Sequence, residues 1–244
     1  MDDGASDILI EGNTIHDNYD RSKGDYTKSF KNCSNIVLMH NVSNVIIRNN
    51  ELYNSASGIH LKYEEGLNTL IEGNTIHDTV TGIFGTNNNY TVRNNVFYNS
   101  PTGILVGYCV VSCGGQNVTI TNNTIIEGVI GVVSGSGSIT NNVITGTAGA
   151  VMGFNAGEDG DRNGFPNFNL SAINTDQNCF YNSSGTVYQY GYSRSYDLAK
   201  TRANFNKELN SIFAQPFFRN AGARDYRQAI GSPCAGKGAT ISVP

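Results

Sequence analysis

The chain has 244 residues with 28 Gly, no Trp, 15% charged residues, a formal net charge of −4 and a pI near 5.5. That balance offers no electrostatic case for nucleic acid or an anionic membrane surface, and no apolar run approaches the roughly 18 residues that cross a bilayer. The length fits one elongated all-β unit.

Residues 9–17 read Leu-Ile-Glu-Gly-Asn-Thr-Ile-His-Asp, and residues 70–78 repeat them letter for letter. Weaker copies end in the Asn pairs 49–50, 94–95, 122–123 and 141–142, with a degenerate one at Asn178. Counted from Asn13, the second Asn recurs at 50, 74, 95, 123, 142 and 178, in steps of 37, 24, 21, 28, 19 and 36. The basic unit is therefore near 19 to 24 residues, the period of a solenoid. The apolar positions are Ile, Val and Thr in period two, without a Leu ladder or helical spacing, which selects a parallel β-helix over a leucine-rich horseshoe. The Asn column serves the coil: Asn tolerates the left-handed backbone of a sharp bend, and stacked Asn side chains hydrogen-bond along a ladder.

Residues 1–10 read as the second half of a coil, so an upstream portion or a partner is expected over this end. His16-Asp17 and His77-Asp78 resemble acid/base pairs but recur inside the identical copies, and read as polar groups of the turns. The step from Asn13 to Asn50 holds a charged surface loop over residues 18–31, which includes Arg21, Lys28 and Lys31. The strand at residues 36–40 then resumes the coil and ends on His40.

Each following coil starts a Gly-containing strand, at Gly58, Gly82, Gly103, Gly131 and Gly149, and these form one sheet. In period two Ile59 and Leu61 point inward while His60 and Lys62 point outward. Insertions at residues 107–116 and 154–165 follow strands of that sheet, and the first loop precedes another. Insertions gathered on one face usually mark a binding face, so the outward side of the Gly-Ile sheet is the expected groove floor. Lys62 is the cation that breaks the repeat there, with His60, Tyr63, Glu64, Glu65, Asp2 and Asp3 around it.

Residues 159–164, Asp-Gly-Asp-Arg-Asn-Gly, space Asp159, Asp161 and Asn163 as in the first half of a calcium-binding loop. The twelfth position is Leu170 where such a loop closes with Glu, so the expected ligand set is Asp159, Asp161 and Asn163 for Ca²⁺. From about Ser184 the repeat fades, and residues 197–209 form a short helix within a cap over the open end of the core. The expected division is 1–183 for the β-helix and 184–244 for a C-terminal cap packed on it. Five Cys leave an odd count; Cys109 and Cys113 either close a small loop in an oxidising compartment or stand as buried thiols.

Through the pairs Ile-x-x-Asn-x-Ile/Val and Gly-Ile-x-Leu, residues 7–183 resemble the right-handed parallel β-helix superfamily of pectate-lyase-like proteins. Phe213-Ala-Gln-Pro-Phe-Phe218 followed by residues 225–234 looks like the closing segment of many secreted bacterial β-helix proteins. The resemblance implies an all-β right-handed solenoid of about seven coils with a C-terminal capping segment, at an extracellular or cell-surface location. It also implies a polysaccharide substrate, and in several lyases of the superfamily a Lys or Arg base acting with Ca²⁺.

The chain departs from the superfamily's hydrolases. Asn174-Thr-Asp176 is similar to a polygalacturonase motif, yet no Gly-His-Gly or Arg-Ile-Lys follows, and neither a complete lyase aspartate cluster nor an Arg near Lys62 is found. The expected function is β-elimination on an acidic, uronate-containing polysaccharide. Lys62 and His60 are its catalytic candidates, with His40, Tyr63, Glu64, Glu65, Arg21, Lys28 and Lys31 binding substrate. The alternative is a non-catalytic carbohydrate-binding or tailspike-like module.

Overall fold

The computed structural model describes residues 4–28, 33–63, 66–107, 114–154, 169–191 and 194–243. Within these, short parallel strands stack coil on coil around three faces. Face one is a seven-stranded sheet of Ser6–Glu11, Ser43–Arg48, Leu67–Glu72, Tyr90–Arg93, Val118–Thr121, Gly137–Thr140 and Ile173–Asp176. Faces two and three form one curled sheet, because Glu51–Lys62 and Thr75–Gly85 run through both. The seven strands of face one give the seven coils read from the repeat.

Register aligns the inward residues into columns. Face one stacks Ile10, Ile47, Ile71, Val92, Ile120 and Ile139. Face two stacks Ile15, Leu52, Ile76, Phe97, Ile125, Ile144 and Phe180. Face three stacks Ile36, Ile59, Ile83, Ile104, Ile130, Met152 and Tyr188. Most of these side chains are fully buried, and each contributes roughly 1.5–3 kcal/mol by leaving water. β-Branched side chains dominate because they pack well on a pleated surface.

The bend between faces one and two divides its work between the two Asn of each pair. The first, at 49, 94, 122 and 141, takes the left-handed backbone with φ of 54–57°. The second turns inward and builds the ladder. Asn50 Nδ2 donates to Asn74 Oδ1 at 3.0 Å, Asn74 to Asn95 at 3.0 Å, Asn95 to Asn123 at 3.0 Å and Asn123 to Asn142 at 3.0 Å. Asn142 then donates to Asn178 at 3.1 Å, and Asn178 to the buried carboxylate of Glu208 at 3.1 Å.

Beyond the last coil, helix Leu198–Phe205 starts at Asp197, whose side chain accepts from the Lys200 N–H, and ends at Asn206 in the left-handed region. Leu198 and Phe205 lie against the core. The chain then runs back along face two: Cys234 is disulfide-bonded to Cys179, the Ala239 N–H donates to Thr124 Oγ1, and the Thr240 N–H to Asn94 Oδ1. Sequence reading assigned these two cysteines no partner. Cys109 and Cys113 lie outside the described residues.

Candidate functional site

At the exit of face three, consecutive coils place His40 and Tyr63 in the same position, one residue past the paired Met39 and Lys62. Both adopt the left-handed backbone, φ 42° for His40 and 68° for Tyr63, a region that costs an L-residue roughly 1–2 kcal/mol. Strained bulky residues of this kind concentrate at working sites. The imidazole and phenol rings stack at 4.4 Å with 15° between planes, and Lys62 Nζ stands 5.0 Å from the Tyr63 ring centroid. Thr86 fixes the turn: its hydroxyl accepts from the Tyr63 N–H at 2.9 Å and donates to the Leu61 carbonyl at 2.8 Å. Tyr63 remains 37% exposed, so the cluster presents an open ring with a cation beside it.

His60 stands elsewhere. It alternates outward as period two requires, in the row Val37, His60, Phe84, Leu105, Gly131 and Gly153. It is nevertheless 3% exposed, with its ring 4.6 Å from that of Phe84. The structure joins Lys62, Tyr63 and His40 and leaves His60 under cover on the same face.

Arg21 is exposed in the one-turn helix Arg21–Lys23. Lys28, in the turn Tyr26–Lys28 that packs on the two long strands, pairs with Asp25 at 3.4 Å. Glu64, Glu65, Lys31, Asp159, Asp161 and Asn163 lie outside the described residues. Among the described residues no group of three or more His, Cys, Asp or Glu is placed to hold a metal.

A ring column that sequence reasoning missed runs along the outside of face two. His16 stacks on Tyr53 at 4.6 Å, Tyr53 on His77 at 4.9 Å and His77 on Tyr98 at 4.5 Å, all within 10° of parallel. Each ring sits three residues after a ladder Asn, a spacing that carried the signal. Within the column His77 Nδ1 lies 2.6 Å from Asp78 Oδ2 and Nε2 3.4 Å from Glu51 Oε1. Asp17 and Asp78 hold left-handed turn positions and accept from Asn54 and Asn99, as expected of turn polar groups. Arg224 of the returning tail closes the column, its Nη1 donating to the Tyr98 hydroxyl at 3.1 Å. Burial pushes the Tyr98 phenol up to about 12, with Arg224 opposing.

A family model described as the right handed beta helix region matches residues 2–202. Among solved structures, the complex structure of XylC with xylose aligns with a TM-score of 0.41 at 16% identity, covering 86% of this chain and 38% of that one. The chain thus spans well under half of that protein's length. No curated protein matches the chain.

Proposed function

This chain belongs to the right-handed β-helix family, and we propose that it binds an acidic polysaccharide at Lys62, Tyr63 and His40 and cleaves it by β-elimination. One juxtaposition supports the reading: the Lys62 ammonium and the His40 imidazole flank the same exposed Tyr63 ring, at 5.0 and 4.4 Å. A sugar ring stacks on the phenol, which brings its carboxylate and the carbon beside it to Lys62 and His40.

β-Elimination removes the proton α to the carboxylate, forms the double bond to the β carbon and breaks that carbon's bond to the glycosidic oxygen, which leaves as a hydroxyl with a proton from water. It therefore needs positive charge on the carboxylate and a base at the α carbon. Lys62 is the base in the reading the superfamily suggests. Where Lys62 instead stays charged and neutralises the carboxylate, His40 takes the proton, imidazole being the side chain that exchanges protons most readily near neutral pH. Asp159, Asp161 and Asn163 are the oxygen donors that Ca²⁺ prefers, in the spacing of a calcium-binding loop. A disulfide between Cys179 and Cys234 supports an extracellular location, since such bonds persist in oxidising compartments.

A second reading, binding without cleavage, is favoured by the contact between Lys62 and the ring. A cation over a tyrosine face gains about 0.5–1 kcal/mol at an exposed site, which suits a binding charge better than a base. Polygalacturonate and alginate, each with Ca²⁺ and with chelator, separate the readings. Ultraviolet absorbance from an unsaturated product that disappears in Lys62→Ala supports elimination. Binding that weakens in Lys62→Ala with no product supports the module, and absence of both overturns the proposal.

A further inference from the structure

At the turn between faces two and three a cleft of about 400 Å³ opens across three coils, lined by Tyr26, Thr27, Val80, Asn99, Pro101 and Glu127. Its chemistry differs from that of the Lys62 cluster. Val80 and Pro101 give it an exposed apolar floor. Beneath them the Thr79 and Ser100 hydroxyls bond each other at 2.8 Å and are spent. Asn99 donates its Nδ2 to Asp78 at 3.1 Å, which leaves its carbonyl oxygen to accept. Glu127 is exposed in the left-handed region, φ 55°, and its N–H is anchored on Thr145 Oγ1 at 3.1 Å.

Tyr26 forms the opposite wall, carried by the turn that the first insertion lays on the long strands. Burial, with Asp78 and Asp25 nearby, raises its phenol above the usual range, so the wall is a neutral ring. None of the lining residues is cationic, while Glu127 lines the cleft and Asp78 stands beside it. A uronate carboxylate is therefore repelled there. An uncharged sugar fits: its C–H face covers an aromatic ring, and its hydroxyls donate to a carboxylate and an amide oxygen.

We propose that this cleft binds one uncharged sugar residue of a glycan, with the ring against Tyr26 and hydroxyls donating to Glu127 and Asn99. The site is distinct from the Lys62 cluster: Val80 and Thr86 bracket face three of one coil, about 20 Å apart at roughly 3.3 Å per residue. The inference shares with the reading above only that the ligand is a carbohydrate.

The test is calorimetric titration of the full chain with hexasaccharides of xylose, glucose, mannose and galactose, beside hexagalacturonate. At least one neutral hexasaccharide should bind. Tyr26→Ala should weaken it about tenfold, near 1.4 kcal/mol, and Glu127→Gln should weaken it less. Tyr26→Phe, which keeps the ring, should retain binding, and Lys62→Ala should leave it unchanged. Binding that survives both Tyr26→Ala and Glu127→Gln, loss in Lys62→Ala instead, or no binding of any neutral hexasaccharide overturns the proposal. A neutral ligand that obeys this pattern while hexagalacturonate fails to bind upholds the cleft and sinks the acidic-polymer reading alone.

Discussion

Asn178 hands the last amide of the ladder to the carboxylate of Glu208, at 3.1 Å to Oε2. Glu208 is fully buried and also accepts from the Tyr188 hydroxyl at 2.7 Å and from Ser211. Burial raises its carboxyl above the ordinary 4.5, against the pull of these donors. A carboxyl raised in the folded state binds its proton more tightly there than when unfolded. In the pH window from 4.5 upward to the folded value, this group therefore loses stability as pH rises. Glu208→Gln should remove that slope, measured as urea midpoints at successive pH values; an unchanged slope would sink the assignment. Glu208→Ala, which strands the Asn178, Tyr188 and Ser211 donors, should cost roughly 3–5 kcal/mol, at about 1–3 for each group left without a partner.

Asn95, in mid-ladder, donates to the Ile71 and Arg93 carbonyls and to Asn123, and accepts from the Asn74 amide and backbone. Asn95→Ala should cost roughly 3–5 kcal/mol, several buried groups losing partners at about 1–3 each. Its neighbour Asn94 only needs the left-handed backbone and one surface contact to Thr240. Asn94→Gly should lie within about 1 kcal/mol of the parent. Equal losses at the two positions would refute the division of labour.

The Cys179–Cys234 bridge closes a segment of 55 residues, for which chain entropy gives about 4 kcal/mol. Reduction, or Cys234→Ala, should lower stability by about 2–5 kcal/mol and expose the tail beyond Phe218 to protease before the solenoid. A tail that resists protease after reduction shows that its contacts with Val96, Tyr98 and Thr124 suffice.

Lys62→Ala should abolish turnover, or weaken uronate binding about tenfold, with stability changed by no more than about 0.5 kcal/mol, as for most surface changes. His40→Ala tests the other flank. If it leaves turnover intact while Lys62→Ala does not, Lys62 is the base.

Millimolar Ca²⁺ should raise the melting temperature, and Asp159→Asn with Asp161→Asn should remove the increase. A melting temperature indifferent to both calcium and chelator excludes a resident ion on that loop.

The solenoid was legible because its determinants are local and repeated. A period-two run of Ile and Val followed by an Asn pair fixes strand, bend and register together, so residues 9–17 already contain the rule that residues 70–78 repeat. Lys62 stood out for the same reason, as a break in a pattern. What stayed hidden depends on long-range placement. That Cys234 returns to Cys179, that Glu208 closes the ladder, and that Tyr26 shares a cleft with Val80 are decided by segments outside the repeat. The cover on His60 is likewise invisible to alternation, which predicts direction and not what lies above. The His16–Tyr53–His77–Tyr98 column was within reach, each ring standing three residues past its Asn.

The ladder also has a direction. Each side-chain-to-side-chain bond in it runs from an Asn amide to the Oδ1 of the next coil toward the C-terminus, so the stack is a polar zipper whose two ends are not equivalent. Glu208 closes the donor end. At the other, the Asn13 side-chain Oδ1 accepts from no described residue, while its backbone carbonyl accepts from the Glu51 N–H at 2.9 Å. Only a strand arriving in parallel, with an amide in step, continues the zipper there.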